Sequence, residues 1–160
     1  MTIQFKDVGS YLAAATGFAD GSATAGGSGD ATYKAGAILD LLALDHPLSG
    51  AIVVPYTTTL AQDETLSLKV KIEHGDDSGL SDAADYTFGQ PDGLAEYAEA
   101  VVATGGTGGS TEVGTEIYRY DLSGLKRYFR ISVYPDLSAS ATDTATFAGA
   151  LVLAGQASMP

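Results

Sequence analysis

Few side chains in this 160-residue sequence are equipped for chemistry, and they do not gather into a motif. The two histidines, His46 and His74, lie far apart, and neither has a partner at a metal-ligand spacing, so a zinc site would need scattered residues. "EHGDDSGLSDAAD" (73–85) offers Asp76, Asp77, Asp82 and Asp85 as hard oxygen ligands for calcium. An EF-hand loop needs acidic residues at alternating positions, a central Gly and a terminal Glu, and here the spacing fails. "GGSGD" (26–30) misses the calcium-binding nonapeptide repeat by one residue and occurs once. "TGGTGGSTEVG" (104–114) has no following Lys or helix to make a phosphate loop, and reads as a flexible hairpin tip. Cysteine is absent, which removes disulfides and thiolate metal sites. No Ser-His-Asp set can be proposed from the abundant Ser and Thr. The expectation is a protein that is not an enzyme and holds no cofactor or metal.

The remaining concentration of charge is "DLSGLKRYFRISVYPDL" (121–137). Lys126, Arg127 and Arg130 fall within five residues, with Arg119 just upstream, in a chain that has eight Lys and Arg against twenty Asp and Glu. With Asp121 counted, residues 119–130 carry +3, so the other residues sum to −15 of the net −12. On a strand, Phe129, Ile131 and Val133 share one face with Arg127, while Lys126, Tyr128, Arg130, Ser132 and Tyr134 share the other. Strand parity therefore splits the basic cluster between two faces. Ten acidic residues and no Lys or Arg lie between Lys71 and Arg119, so one reading pairs the arginines with this acidic half of the same molecule. The other makes Lys126, Tyr128, Arg130 and Tyr134 a protein–protein contact, for which Arg and Tyr are favoured types.

A chain of this length supports one domain with a sizeable core. Its abundant Gly, Ala, Ser and Thr, its nine Tyr and its lack of Trp suit close-packed strands better than long helices. Net charge of −12 argues against nucleic acid and against an anionic membrane as partners. "MTIQFKDVGSYLAAATG" lacks the pattern of a signal peptide, and the longest apolar runs fall far short of the roughly 20 residues of a spanning helix, so a cytoplasmic site of synthesis is expected.

Strands are expected at the start of "AGAILDLLALDHPLSG" (35–50), with a loop through His46-Pro47, and at "AIVVPYTTTL" (51–60), where Pro55 suggests an edge or a bulge. "ETLSLKVKIEHG" (64–75) alternates: Leu66, Leu68, Val70 and Ile72 point one way, Ser67, Lys69, Lys71 and Glu73 the other. "LAEYAEAVVATGG" (94–106) reads as strand rather than helix, and "EIYRYDL", "LKRYFRISVY" and "DTATFAGALVLAG" complete the set. Short strands at this spacing indicate an all-β antiparallel sandwich or jelly roll. Residues 1–34 are rich in Ala, Gly, Ser and Thr, "GSATAGGSGD" (21–30) has almost no apolar content, and the segment reads as an extended, partly irregular arm, anchored on a neighbouring subunit by Phe5, Tyr11, Leu12 and Phe18. The domain proper is then 35–160.

Residues 35–155 resemble the jelly-roll cement, or decoration, proteins of tailed-phage capsids. The resemblance rests on the order of an apolar strand, an alternating strand leading to an acidic Ser/Asp loop, and a "GL-x-RY-x-R" strand. The last of these is matched by Gly124, Leu125, Arg127, Tyr128 and Arg130. A final small-residue strand, "TATFAGALVLAG" (144–155), closes the match, while the long N-terminal arm and the Gly-rich insertion at 104–114 depart from it. What the resemblance implies is a virion protein on the external surface of the capsid. It would bridge neighbouring major capsid subunits and form a homodimer or homotrimer. The alternative is a carbohydrate- or receptor-binding jelly-roll module of a phage tail or fibre.

Overall fold

The computed structural model describes residues 12–87, 97–139 and 142–155. Among these residues ten strands run in the order β1 (Leu12–Thr24), β2 (Lys34–Ala35), β3 (Leu39–Asp40), β4 (Ser49–Leu60), β5 (Thr65–Gly75), β6 (Ala84–Asp85), β7 (Ala100–Thr104), β8 (Ser110–Asp121), β9 (Tyr128–Leu137) and β10 (Thr144–Ala154). They form two antiparallel sheets and no helix among the described residues. Sheet A has the order β1-β10-β4-β8. In sheet B, β9 and β5 pair along their length; the short β2 and β3 flank β9, and β6 and β7 flank β5. The chain is thus an all-β sandwich.

Alternation makes the core. Leu66, Leu68, Val70 and Ile72 of β5 and Phe129, Ile131 and Val133 of β9 are fully buried, facing Ile52, Val54, Leu151 and Leu153 of sheet A. Burial on this scale, at roughly 25 cal/mol per Å² of apolar surface, is the main force holding the sheets together. The sheets are also strapped by tyrosine hydroxyls. Tyr56 of β4 donates to the Val102 carbonyl of β7, and Tyr120 of β8 donates to the Val70 carbonyl of β5. From the sheet B side, Tyr86 and Tyr97 donate to the carbonyls of Asp121 and Arg119 on β8.

Four expectations need correction. The N-terminal arm is not separate from the sandwich over Leu12–Thr24: these residues are edge strand β1, paired with β10 from Leu12↔Ala154 to Thr24↔Thr144. Phe18, expected to contact a neighbouring subunit, is 2% exposed in this molecule's own core. Pro55 lies on neither an edge nor a bulge but in β4, between β10 and β8. Its ladder with β8 is continuous, while pairing with β10 lapses between Val53↔Ala150 and Tyr56↔Phe147, where proline has no N–H to give. Finally, the Gly-rich stretch is a loop only over 105–109. Residues 110–114 are already β8, and the loop carries the chain from sheet B to sheet A rather than closing a hairpin.

That loop is pinned. Asp63 N–H donates to the Gly105 carbonyl, Gly105 N–H to the Glu64 carbonyl, and Gly108 N–H to Gln62 Oε1. Gly108 and Gly109 take positive φ values of 79° and 86°. A Cβ on Gly105 would collide with the Ala61 backbone, which cannot give way as a side-chain tip can. Gly105→Ala is therefore expected to cost about 1–3 kcal/mol, read as a lower urea midpoint at unchanged slope.

Candidate functional site

The basic stretch lies at one end of sheet B and its outer face, where each cation meets a carboxylate of the same chain. Lys126, in the turn before β9, places Nζ 2.9 Å from Asp76 and 3.8 Å from Asp82. Arg127 holds Asp40 through two bonds, Nε at 3.2 Å and Nη2 at 3.0 Å, and its guanidinium lies 5.0 Å from the Tyr128 ring centre. Arg130 Nε donates to Glu73 at 2.8 Å, Lys71 Nζ lies 3.4 Å from the same carboxylate, and Asp85 extends the row. Tyr134 packs against Tyr33, with ring centres 5.1 Å apart, beneath the Lys69 ammonium at 4.3 Å. Hydrogen bonds from Arg127 and Arg130 hold the Asp40 and Glu73 carboxyls below their ordinary range. The geometry shows intramolecular pairing, with the acidic half for Lys126 and Arg130 and with Asp40, outside that half, for Arg127. Lys126 and Arg127 remain 42% and 51% exposed at the side chain.

The acidic loop is also accounted for by its own backbone. Asp77 accepts N–H bonds from Gly79 and Ser81, and Asp82 accepts them from Asp76 and Asp77. These bonds lower both carboxyls below the usual range and staple the loop. Among the described residues no three His, Asp or Glu side chains converge as metal ligands. His74 Nδ1 accepts the Lys126 backbone N–H, and its ring meets Tyr86 edge-on at 5.0 Å. Burial, assisted by the Lys126 charge, lowers its pKa and favours the neutral imidazole. Phe5 and Tyr11 lie outside the described residues.

The opposite surface, the outer face of sheet A, was not singled out by sequence reasoning. It is built from alternate residues of four strands that are distant in sequence. In register across the sheet lie Thr16, Ala150, Val53 and Ile117; Ala14, Val152, Ala51 and Arg119; and Ser22, Thr146, Thr57 and Val113. Leu12, Ile117 and Val113 on it are 45%, 46% and 76% exposed. Along the outward positions of all four strands the ionised groups are Asp20, Arg119 and Asp121. A depression of about 560 Å³ sits where the Pro55 break in pairing meets the irregular part of β1, lined by Asp20, Gly21, Pro55, Thr57, Val113 and Thr146. A second, of about 440 Å³, lies toward Leu12, Ala51, Arg119 and Val152. The molecule therefore has a charged, ion-paired face on sheet B and a nearly neutral, Thr- and Ala-rich face on sheet A.

No family model and no curated protein matches the chain.

Proposed function

We propose that this chain is a capsid cement protein. It binds the outer surface of a tailed-phage head through sheet A and stabilises the shell by bridging neighbouring major capsid proteins. The observation that carries this reading is the neutral outer face on a chain of net charge −12. A stable interface desolvates its centre, and each unpaired charge trapped there costs several kcal/mol, so docking favours the face with fewest charges. Sheet B then looks outward with Lys126, Tyr128, Arg130 and Tyr134. Its acidic surface is tolerable on the outside of a particle, where no phosphate need be neutralised.

The strand order adds support. With β2 and β3 counted as one edge and β6 and β7 as the other, each sheet has four strand positions, as a double-sheet jelly roll requires. The alternative, carbohydrate binding by exposed tyrosines, is less well served, because none of the tyrosines among the described residues is exposed.

Purified protein mixed with expanded heads that lack it should saturate at a fixed stoichiometry. Thr57→Glu with Thr146→Glu, neighbours on β4 and β10, should weaken binding at least tenfold, about 1.4 kcal/mol, while Lys126→Ala leaves it intact. The arm should be tested by removing residues 1–11, since a longer deletion would take away β1. Loss of occupancy is the expected result. Protein with no affinity for heads would overturn the proposal, and calcium-dependent glycan binding in its place would favour the tail or fibre module.

A further inference from the structure

We propose that β8 is a self-pairing edge, through which two copies join their A sheets into one eight-stranded sheet about a two-fold axis at Thr115. This goes beyond the capsid reading and does not depend on it.

β8 is twelve residues long and forms the outer edge of sheet A beside β4. In an antiparallel strand, alternate residues turn both N–H and C=O away from the paired neighbour. The carbonyls of Arg119 and Asp121 are turned away and accept the Tyr97 and Tyr86 hydroxyls. The same parity applies to Thr111, Val113, Thr115 and Ile117. No backbone or side-chain group among the described residues bonds their outward edge. Among the described residues one half of the edge is capped and the other is open, and the open half carries Val113 and Ile117, the exposed aliphatic β-branched residues of the face. An open, straight, apolar edge is a template for another strand.

The sequence of β8 favours a second copy in one register. Pairing about Thr115 sets Val113 against Ile117 twice on the outer face and ends short of Arg119, whose outward carbonyl is taken by Tyr97. On the other face, Glu112 meets Tyr118 and Glu116 meets Gly114, so no acidic residue opposes another. A slip that brings Glu112 against Glu116, or Glu116 against itself, sets like charges in direct opposition, which destabilises a cross-strand pair. The two glutamates thus exclude both neighbouring registers, and the Val113–Ile117 pairs favour this one. Because the axis stands perpendicular to the sheet, both neutral faces end on the same side of the dimer.

The test uses the full chain in solution, without heads. Sedimentation at micromolar concentration should give twice the monomer mass of 16.3 kDa. Val113→Lys, and separately Thr115→Pro, which removes an outward N–H, should each give a folded monomer. As the chain has no cysteine, Thr115→Cys should oxidise to a covalent dimer, since paired Cα atoms about 5.5 Å apart suit a disulfide, whereas Thr57→Cys should not. A monomeric wild type, in which the glutamates merely guard the edge, overturns the proposal. So does a dimer in which Thr115→Cys fails to crosslink, whatever the fate of the other variants. A monomer that still binds heads would refute the self-pairing alone, and a dimer that ignores heads would refute the capsid function alone.

Discussion

Phe18→Ala is expected to destabilise the protein by about 3–5 kcal/mol, the usual cost of emptying a buried aromatic site. Phe18 stands in the only described position of β1 that pairs with Gly149, and its ring meets Phe147 edge-on at 6.2 Å. A Cβ on Gly149 would enter the Phe18 ring, so that glycine is the hole which the ring fills. Gly36 packs on the other side, against the Gly17 carbonyl and Phe18 Cβ. With glycines around it, the cavity has few side chains able to collapse into it, which places the cost toward the upper end of the range. Guanidinium denaturation of both proteins measures the difference. A loss below about 1 kcal/mol would mean that β1 is a detachable arm, because a surface substitution costs about 0.5 kcal/mol or less.

Why β1 was hidden from sequence reasoning follows from its register. Thr16 pairs with Ala150, Phe18 with Gly149 and Gly21 with Phe147, so the pairing shifts by one residue twice within five positions. Each bulge reverses which parity faces the core. Ala13 faces inward at an odd position, Phe18 at an even one and Ala23 at an odd one again, and no period of two survives in "LAAATGFADGSAT". Its small residues also have low strand propensity, so the element depends on β10. β5 and β9 pair with each other in an unbroken ladder and have largely apolar inner faces, and they were legible from alternation alone. Likewise, the split of the basic cluster was legible, and so, as one of two options, was the pairing of Arg130 with the acidic half, but not that of Arg127 with Asp40. Parity failed for Arg127, because β9 starts at Tyr128 and the arginine turns to Asp40 instead. The neutral face of sheet A was illegible for a different reason. Each of its strands is an ordinary half-polar strand, and only the non-sequential order β1-β10-β4-β8 sums them into a surface with three charges.

Alkaline pH is expected to unfold the protein steeply, with Tyr118 as the dominant group. Tyr118 is buried, its ring lies edge-on to Tyr97, and its hydroxyl has no hydrogen-bond partner among the described residues. Burial raises its pKa strongly, and the Glu116 charge adds to the shift. Burial also raises Tyr56, Tyr86 and Tyr97. For a tyrosine whose folded pKa exceeds its unfolded value of about 10, stability is intact below pH 10 and is lost as pH climbs toward the folded value. Above the unfolded pKa, Tyr118 alone supplies a slope approaching about 1.4 kcal/mol per pH unit, or roughly 2 kcal/mol between pH 10 and 12. The other three add in the same direction but less, being more open to solvent screening. Tyr118→Phe should remove that slope. At neutral pH it should also raise stability by about 1 kcal/mol, because an unsatisfied buried hydroxyl costs 1–3 kcal/mol and the phenyl ring keeps the packing. Tyr86→Phe should do the opposite at neutral pH, lowering stability by about 1 kcal/mol, since its hydroxyl donates to the Asp121 carbonyl at 2.6 Å and accepts the Gly124 N–H at 3.3 Å. Equal losses for the two variants in urea melts at pH 7 would refute the distinction between a strapping hydroxyl and a stranded one. A Tyr118→Phe protein with the wild-type slope above pH 10 would remove Tyr118 from the alkaline transition.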